Sequence, residues 1–191
     1  MEKANASAQA GASLTRAGHN FEQALAHGTY HAQLIRNGQV IWEDTFPNTV
    51  VTVGKNLALD TYLAGSSYSV TGPYMGLISS TTFSAIAAGD TMSSHAGWLE
   101  AGLGNAPTYS GNRKTAVFSA AASGSKALSS ALSFAITGTG TVKGAFLVFG
   151  SGASATKDNT SGTLYSAGLF SGGDRAVING DTLSVSYTAS L

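Results

Sequence analysis

Between Asp90 and Glu100 the chain gathers the side chains best suited to moving a proton: Asp90, Ser93, Ser94, His95 and Glu100 in one short irregular stretch. A serine next to an imidazole that a carboxylate orients is the arrangement of a hydrolase. The neighbouring residues favour a structural reading. No G-x-S-x-G elbow occurs in a strand-turn-helix setting. Asp90, ahead of Thr91-Met92, has the place of a cap on one helical turn ending near His95, and His95 beside Gly97-Trp98 has the place of a packed turn residue. No catalytic residue is expected, and the chain reads as a non-enzyme.

Other candidate chemistry thins out in the same way. His27 and His31 have the spacing of a metal pair on a helix, but the alternation starting at Tyr30 puts His31 on the wet face of a strand. The chain has no cysteine, which excludes a thiolate nucleophile, a disulfide framework and Cys-ligated zinc. No metal and no cofactor is expected. Gly54-Lys55-Asn56 resembles a fragment of a phosphate loop, yet the full G-x-x-x-x-G-K-[ST] pattern is missing. Gly54 is expected to supply a positive φ or a close backbone approach, and Asn56 an N-cap. Trp42 and Trp98 are aromatic platforms of the kind that stack on sugars, but their strand and apolar contexts favour the core. The side chains best placed for a partner are Tyr68 and Tyr109 in loops, with Leu14 and Phe21 near the N-terminus.

The elements that would position these residues are mostly strands. Tyr30, Ala32 and Leu34 alternate with polar neighbours, and Asn37-Gly38 then marks a hairpin to a second arm ending at Pro47. The period changes at 50–63. Val51 and Val53 read as the end of a strand, and Leu57, Leu59 and Leu63 as the inward face of a helix that Gly65, Ser66 and Ser67 terminate. Strands are expected at 74–78, 98–101, 115–120, 128–136, 141–149, 164–170, 176–178 and 182–188, the last two joined by an Asn179-Gly180 hairpin turn. The continuous apolar run 144–149 belongs in the middle of a sheet, and 150–162 is a long polar loop expected to be mobile.

Composition bounds the function. Charged residues are only 10% of the 191, and ten basic balance ten acidic residues. A neutral, hydroxyl-rich surface offers no basic field for nucleic acid and repels its own copies weakly, which suits packing into an assembly. Met1-Glu2-Lys3-Ala4-Asn5 lacks signal-peptide order and no run is long enough to span a bilayer, so no membrane partner is expected.

Several segments carry a family resemblance: Trp42-Glu43-Asp44-Thr45, Val53-Gly54-Lys55-Asn56, Tyr74-Met75-Gly76-Leu77-Ile78, the run from Ala88 to Trp98, the run from Gly162 to Phe170, and Gly180-Asp181-Thr182-Leu183. In their order they resemble a small virion structural protein family of tailed bacteriophages, often encoded among head genes. The resemblance spans residues 30–191. It implies a capsid decoration or cement protein, located on the virion capsid surface after assembly in the host bacterial cytoplasm. Its implied partners are the major capsid protein and itself, as a dimer or trimer. A tail- or fibre-associated structural or receptor-binding protein is the alternative. The expected fold is all-β: an antiparallel, jelly-roll-like β-sandwich over 26–191, with a leading hairpin at 28–47, one helix at about 55–64 and a flexible N-terminal arm over 1–25 that orders on a partner.

Overall fold

Asn37 at φ 51° and Gly38 at φ 75° supply the two consecutive positive values of a type I′ turn. The chain therefore reverses there into a long hairpin, with Tyr30 opposite Phe46 and Leu34 opposite Trp42. The computed structural model describes residues 26–63 and 71–190. In chain order its elements are β1 (His27–Arg36), β2 (Gln39–Pro47), β3 (Thr49–Val50), α1 (Thr52–Leu63), β4 (Tyr74–Ser79), β5 (Lys114–Thr115), β6 (Ser125–Ala127), β7 (Leu132–Ala135), β8 (Gly140–Phe149), β9 (Thr163–Leu169), β10 (Arg175–Val177) and β11 (Thr182–Ser190).

Two antiparallel sheets pack together as a sandwich. The first runs β2-β1-β11-β6, with β7 also on β11. The second runs β3-β9-β8-β4-β5, with β10 also on β8. Alternation puts Tyr30, Ala32 and Leu34 of β1 and Leu183, Val185 and Tyr187 of β11 on the inner face. They meet Met75, Leu77, Ala145 and Leu147 of the second sheet in the main core. A second core, including Val51, Ile78, Trp98, Phe146 and Leu164, covers the other face of that sheet. Burial on both faces explains why β8 reads as a continuous apolar run, and it lies mid-sheet as its composition predicts.

Several expectations change. The helix begins at Thr52, so Gly54 and Asn56 lie inside it and Asn56 is not an N-cap. Val51 N–H donates to the Tyr165 carbonyl and Thr52 N–H to the Ala88 carbonyl, which fixes the chain there and turns it directly into the helix. Leu57 is buried but Leu59 is 55% exposed. Two residues along a helix turn the side chain by about 200°, so Leu57 and Leu59 cannot share a face. The Leu63 side chain and the Gly65, Ser66 and Ser67 stop lie outside the described residues.

Asn179-Gly180 is a corner between sheets and not a hairpin. β10 pairs with β8 in the second sheet while β11 pairs with β1 in the first. Asp181 N–H donates to the Ile178 carbonyl, and only Gly180 of the pair has a positive φ. The strands expected at 115–120 and 128–136 shrink to β5 and β7: Ala116 N–H still bonds to the Pro73 carbonyl in the β4–β5 register, but proline has no N–H to return the bond, and Leu128 makes only an isolated bridge to Phe118. The 98–101 strand is reduced to the single bridge of Glu100 with Ile78. The arm over 1–25, with Leu14 and Phe21, lies outside the described residues, as does Tyr68.

Candidate functional site

The proton-moving set around His95 is spent on structure. Asp90 Oδ2 accepts from Trp98 Nε1 at 2.9 Å and from Ala87 N–H at 2.9 Å. A buried indole N–H needs an acceptor, and Asp90 meets that need instead of capping a helical turn. Thr91 and Ser94 form a bridge where that turn was expected. His95 stacks on Trp98 with ring centroids 4.0 Å apart and donates from Nδ1 to the Trp98 carbonyl at 2.9 Å. Ser93 Oγ is bonded to Thr91 Oγ1. His95 therefore serves as the packed turn residue that its neighbours predict.

Glu100 has a different partner, Arg113. Its carboxylate accepts Arg113 Nε at 2.9 Å, Arg113 Nη2 at 2.6 Å and Asp158 N–H at 2.8 Å. Burial pushes the Glu100 carboxyl up, and the guanidinium and the Asp158 N–H pull against that rise. Arg113 also donates to the carbonyls of Ser154 and Asn159. Lys157 Nζ donates to the carbonyls of Gly102 and Tyr109. The 150–162 segment is therefore fastened at several points, which corrects the mobile loop expected from its polar composition. A cavity of about 220 Å³ adjoins this cluster, lined by Met92, His95, Asn105 and Thr160 among others.

Tyr109 was expected as an exposed partner contact, and it is buried at 2% exposure. Its ring stands edge-on to Phe134 at 5.1 Å, with Lys157 Nζ 4.3 Å from the ring centroid. Gly102 makes this possible, since a Cβ at that position would overlap the Tyr109 ring. Burial raises the phenol's pKa. The surrounding Asn, Pro, Gly and Ser residues signal a loop but carry no sign that its aromatic ring turns inward. Trp98 is fully buried, and Trp42 packs edge-on against Phe170 at 4.8 Å with Arg175 over its face. Both tryptophans serve packing.

Among the described residues, no three of His, Cys, Asp and Glu cluster closely enough to hold a metal ion, and no helix is long and apolar enough to cross a membrane. Two surfaces stand out among the described residues. The first is an apolar groove of about 310 Å³ where α1 meets both sheets, walled by Ala58, Pro73, Phe118, Phe149, Tyr165 and Tyr187. Its polar groups are largely engaged: Tyr187 OH accepts from Asn48 Nδ2 at 2.9 Å, and Thr61 Oγ1 donates to the Leu57 carbonyl at 2.8 Å.

The second surface is the outer edge of β2, the last strand of the first sheet. Asp44 ties part of it to the 171–172 turn, accepting from Ser171 Oγ and Gly172 N–H. Val40 and Ile41, beyond that tie, are 51% and 43% exposed. At nine residues β2 is far longer than the two-residue edge strands β3 and β5 of the second sheet.

Sequence pattern assigns no structural role to Arg113, Lys157 or Asp181, although Asp181 lies in the 180–183 run, and these three groups hold loops and the β10–β11 corner in place. A usable signal was present: where charges are this scarce, one that lies between apolar segments is a candidate for internal pairing. No family model, curated protein or solved structure matches this chain.

Proposed function

We propose that this protein is a bacteriophage virion structural protein, a capsid decoration or cement protein that binds the major capsid protein at the capsid surface as a homo-oligomer. The observation that carries the reading is the open edge of β2, where Val40 and Ile41 lie exposed at the end of a long strand. Unpaired strand edges are templates for another chain, and natural folds usually blunt them with lysine, proline or a covering loop. Here Pro47 closes one end of β2 and a covering turn reaches Asp44 and Thr45, while 39–43 have no ladder partner on the outer side among the described residues.

Two further features support the same reading. The segments that resemble the phage family include β4, the 88–98 loop, the start of α1 and β9, which supply much of the second core. They are packing signatures, as a structural family requires. With charged residues at 10%, close approach to a neighbour costs little desolvation of ions.

The test is electron microscopy of virions labelled with antibody to this chain, together with binding of the purified protein to undecorated heads. Label over the head, and binding that Ile41→Lys weakens, is the expected result. Label confined to the tail would overturn the reading in favour of a receptor-binding role.

A further inference from the structure

The groove beneath α1 is lined mainly by apolar side chains and has no structural use among the described residues, and the register of the first sheet places the entry of the chain beside it. Gly28 of β1, Ala189 of β11 and Lys126 of β6 sit side by side across three strands. Ala189 and Lys126 both line the groove. The chain enters β1 at His27, opposite Ser190, one strand away from the groove wall, a lateral step of about 5 Å.

We propose that Phe21, carried by this chain's own N-terminal segment, docks in that groove. Phe21 is the one Phe, Tyr or Trp among residues 1–25. It stands six residues before His27, an extended reach of about 20 Å, which is ample for a site that starts one strand away. The groove, at about 310 Å³, has room for an aromatic ring. Water fits it poorly: a buried water needs two to four polar partners, and the Tyr187 hydroxyl and Thr61 Oγ1 already have theirs. Phe149, Tyr165 and Phe118 offer ring edges and faces, with Phe149 and Tyr165 already 5.0 Å apart.

Attachment in the same chain decides between this occupant and a second copy's arm. A short tether holds the ring near the groove at an effective concentration on the order of millimolar, above that of a separate molecule in dilute solution. Gly28 keeps the neighbouring wall in place: a Cβ there would overlap the Tyr187 ring, so glycine lets that ring stand upright against β1. This docking site is independent of the β2 edge and of any capsid partner.

The absence of cysteine in the chain allows a direct test. Full-length protein carrying Gln23→Cys and Ala58→Cys, with the Phe21 ring kept, is oxidised mildly and compared with a control that carries the same two cysteines and Phe21→Ala. The expected result is an intrachain disulfide at least about ten-fold more abundant than in the control, because the tether is the same in both and only the docked ring differs. A 1:1 mixture of isotopically heavy and light protein should give no mixed dimer. No excess over the control overturns the proposal, and mixed heavy–light disulfides overturn it in favour of a second copy's arm. In a second measurement that leaves the groove wall intact, full-length Phe21→Ala should bind the dye ANS several-fold more brightly than the unaltered chain. Equal ANS signal also overturns the proposal.

Discussion

Arg113 and Glu100 form a bidentate ion pair in which both side chains are almost wholly buried, with Nη2–Oε2 at 2.6 Å and Nε–Oε1 at 2.9 Å. The pair joins the end of the 98–100 turn to the 113 loop, and through Asp158 and Asn159 to the 150–162 segment. Such a pair adds little net stability over apolar residues of the same shape, but losing one partner strands a charge in the interior. Arg113→Met should therefore cost about 3–5 kcal/mol in urea unfolding. The double change Glu100→Leu, Arg113→Met should recover most of that loss. Equal costs for the single and double variants would show that the bonds from Arg113 to the Ser154 and Asn159 carbonyls matter more than its charge.

Stability should fall at acid pH through Asp181 and Asp44. Arg36, bonded through Nε and Nη2, holds the Asp181 carboxyl below its usual range. Burial alone would raise Asp44, but the Gly172 N–H and the Ser171 hydroxyl overcome it and leave that carboxyl lowered as well. A lowered folded-state value means that the stabilisation is fully present above the ordinary carboxylate range and is lost as pH falls through the folded value. Thermal melts from pH 7 to pH 2 should show this decline, and Asp181→Asn should flatten part of it. An unchanged acid limb in Asp181→Asn would contradict the assignment.

Gly54 and Asn56 should respond to alanine with opposite signs. Both lie inside α1, where alanine is intrinsically better by up to about 1 kcal/mol for glycine and less for asparagine. Asn56 is exposed, so Asn56→Ala should stabilise by a few tenths of a kcal/mol, whereas loss of an N-cap would cost about 1 kcal/mol. At Gly54 a Cβ would overlap the backbone of Tyr165. Gly54→Ala should therefore destabilise, by about 1–3 kcal/mol or more, as overpacking does. Urea titrations of the two variants supply the measurement.

Asp90→Ala should leave the Trp98 indole N–H and the Ala87 N–H without their acceptor, at about 1–3 kcal/mol for the buried donor. His95→Ala should cost less, since it removes one stacked ring and one bond to the Trp98 carbonyl. Tryptophan emission should shift red in both variants as the 87–98 loop loosens. Neither should change a hydrolytic rate on ester or glycan substrates above background.

At the β2 edge, Ile41→Lys should leave the melting temperature within a few degrees of the parent, because Ile41 is 43% exposed, while reducing association with heads or with other copies. Analytical ultracentrifugation and head-binding titration read the two effects separately. A large loss of stability would mean that Ile41 belongs to the fold.

Much of the architecture is legible in local pattern. The Asn37-Gly38 turn, the alternation at Tyr30, Ala32 and Leu34, and the apolar run of β8 each translate directly, because turn dihedrals and strand periodicity are short-range properties. What was not legible depends on long-range pairing. Asn179-Gly180 has the same residue types as the first turn, yet its flanking strands belong to different sheets. Tyr109 and Arg113 sit among loop-forming residues, and their burial is decided by Phe134, Glu100 and the 150–162 segment. Leu59 failed for a simpler reason, since three leucines were assigned to one helix face when their spacing allows fewer.

The placement of β11 between the β1–β2 hairpin and β6 has a consequence for the order of folding. Its contacts are remote in sequence: Arg36 and Asp181 are 145 positions apart. During synthesis the hairpin can close early, since its own turn is local, but the apolar flank of β1 has no sheet partner until β11 emerges. Tyr30, Ala32 and Leu34 have incomplete cover until β11, far along the chain, is made. Completion of the first sheet is thus a late, high-contact-order event that sets a slow folding rate, and it is the stage at which a nascent chain is most open to pairing with the wrong strand.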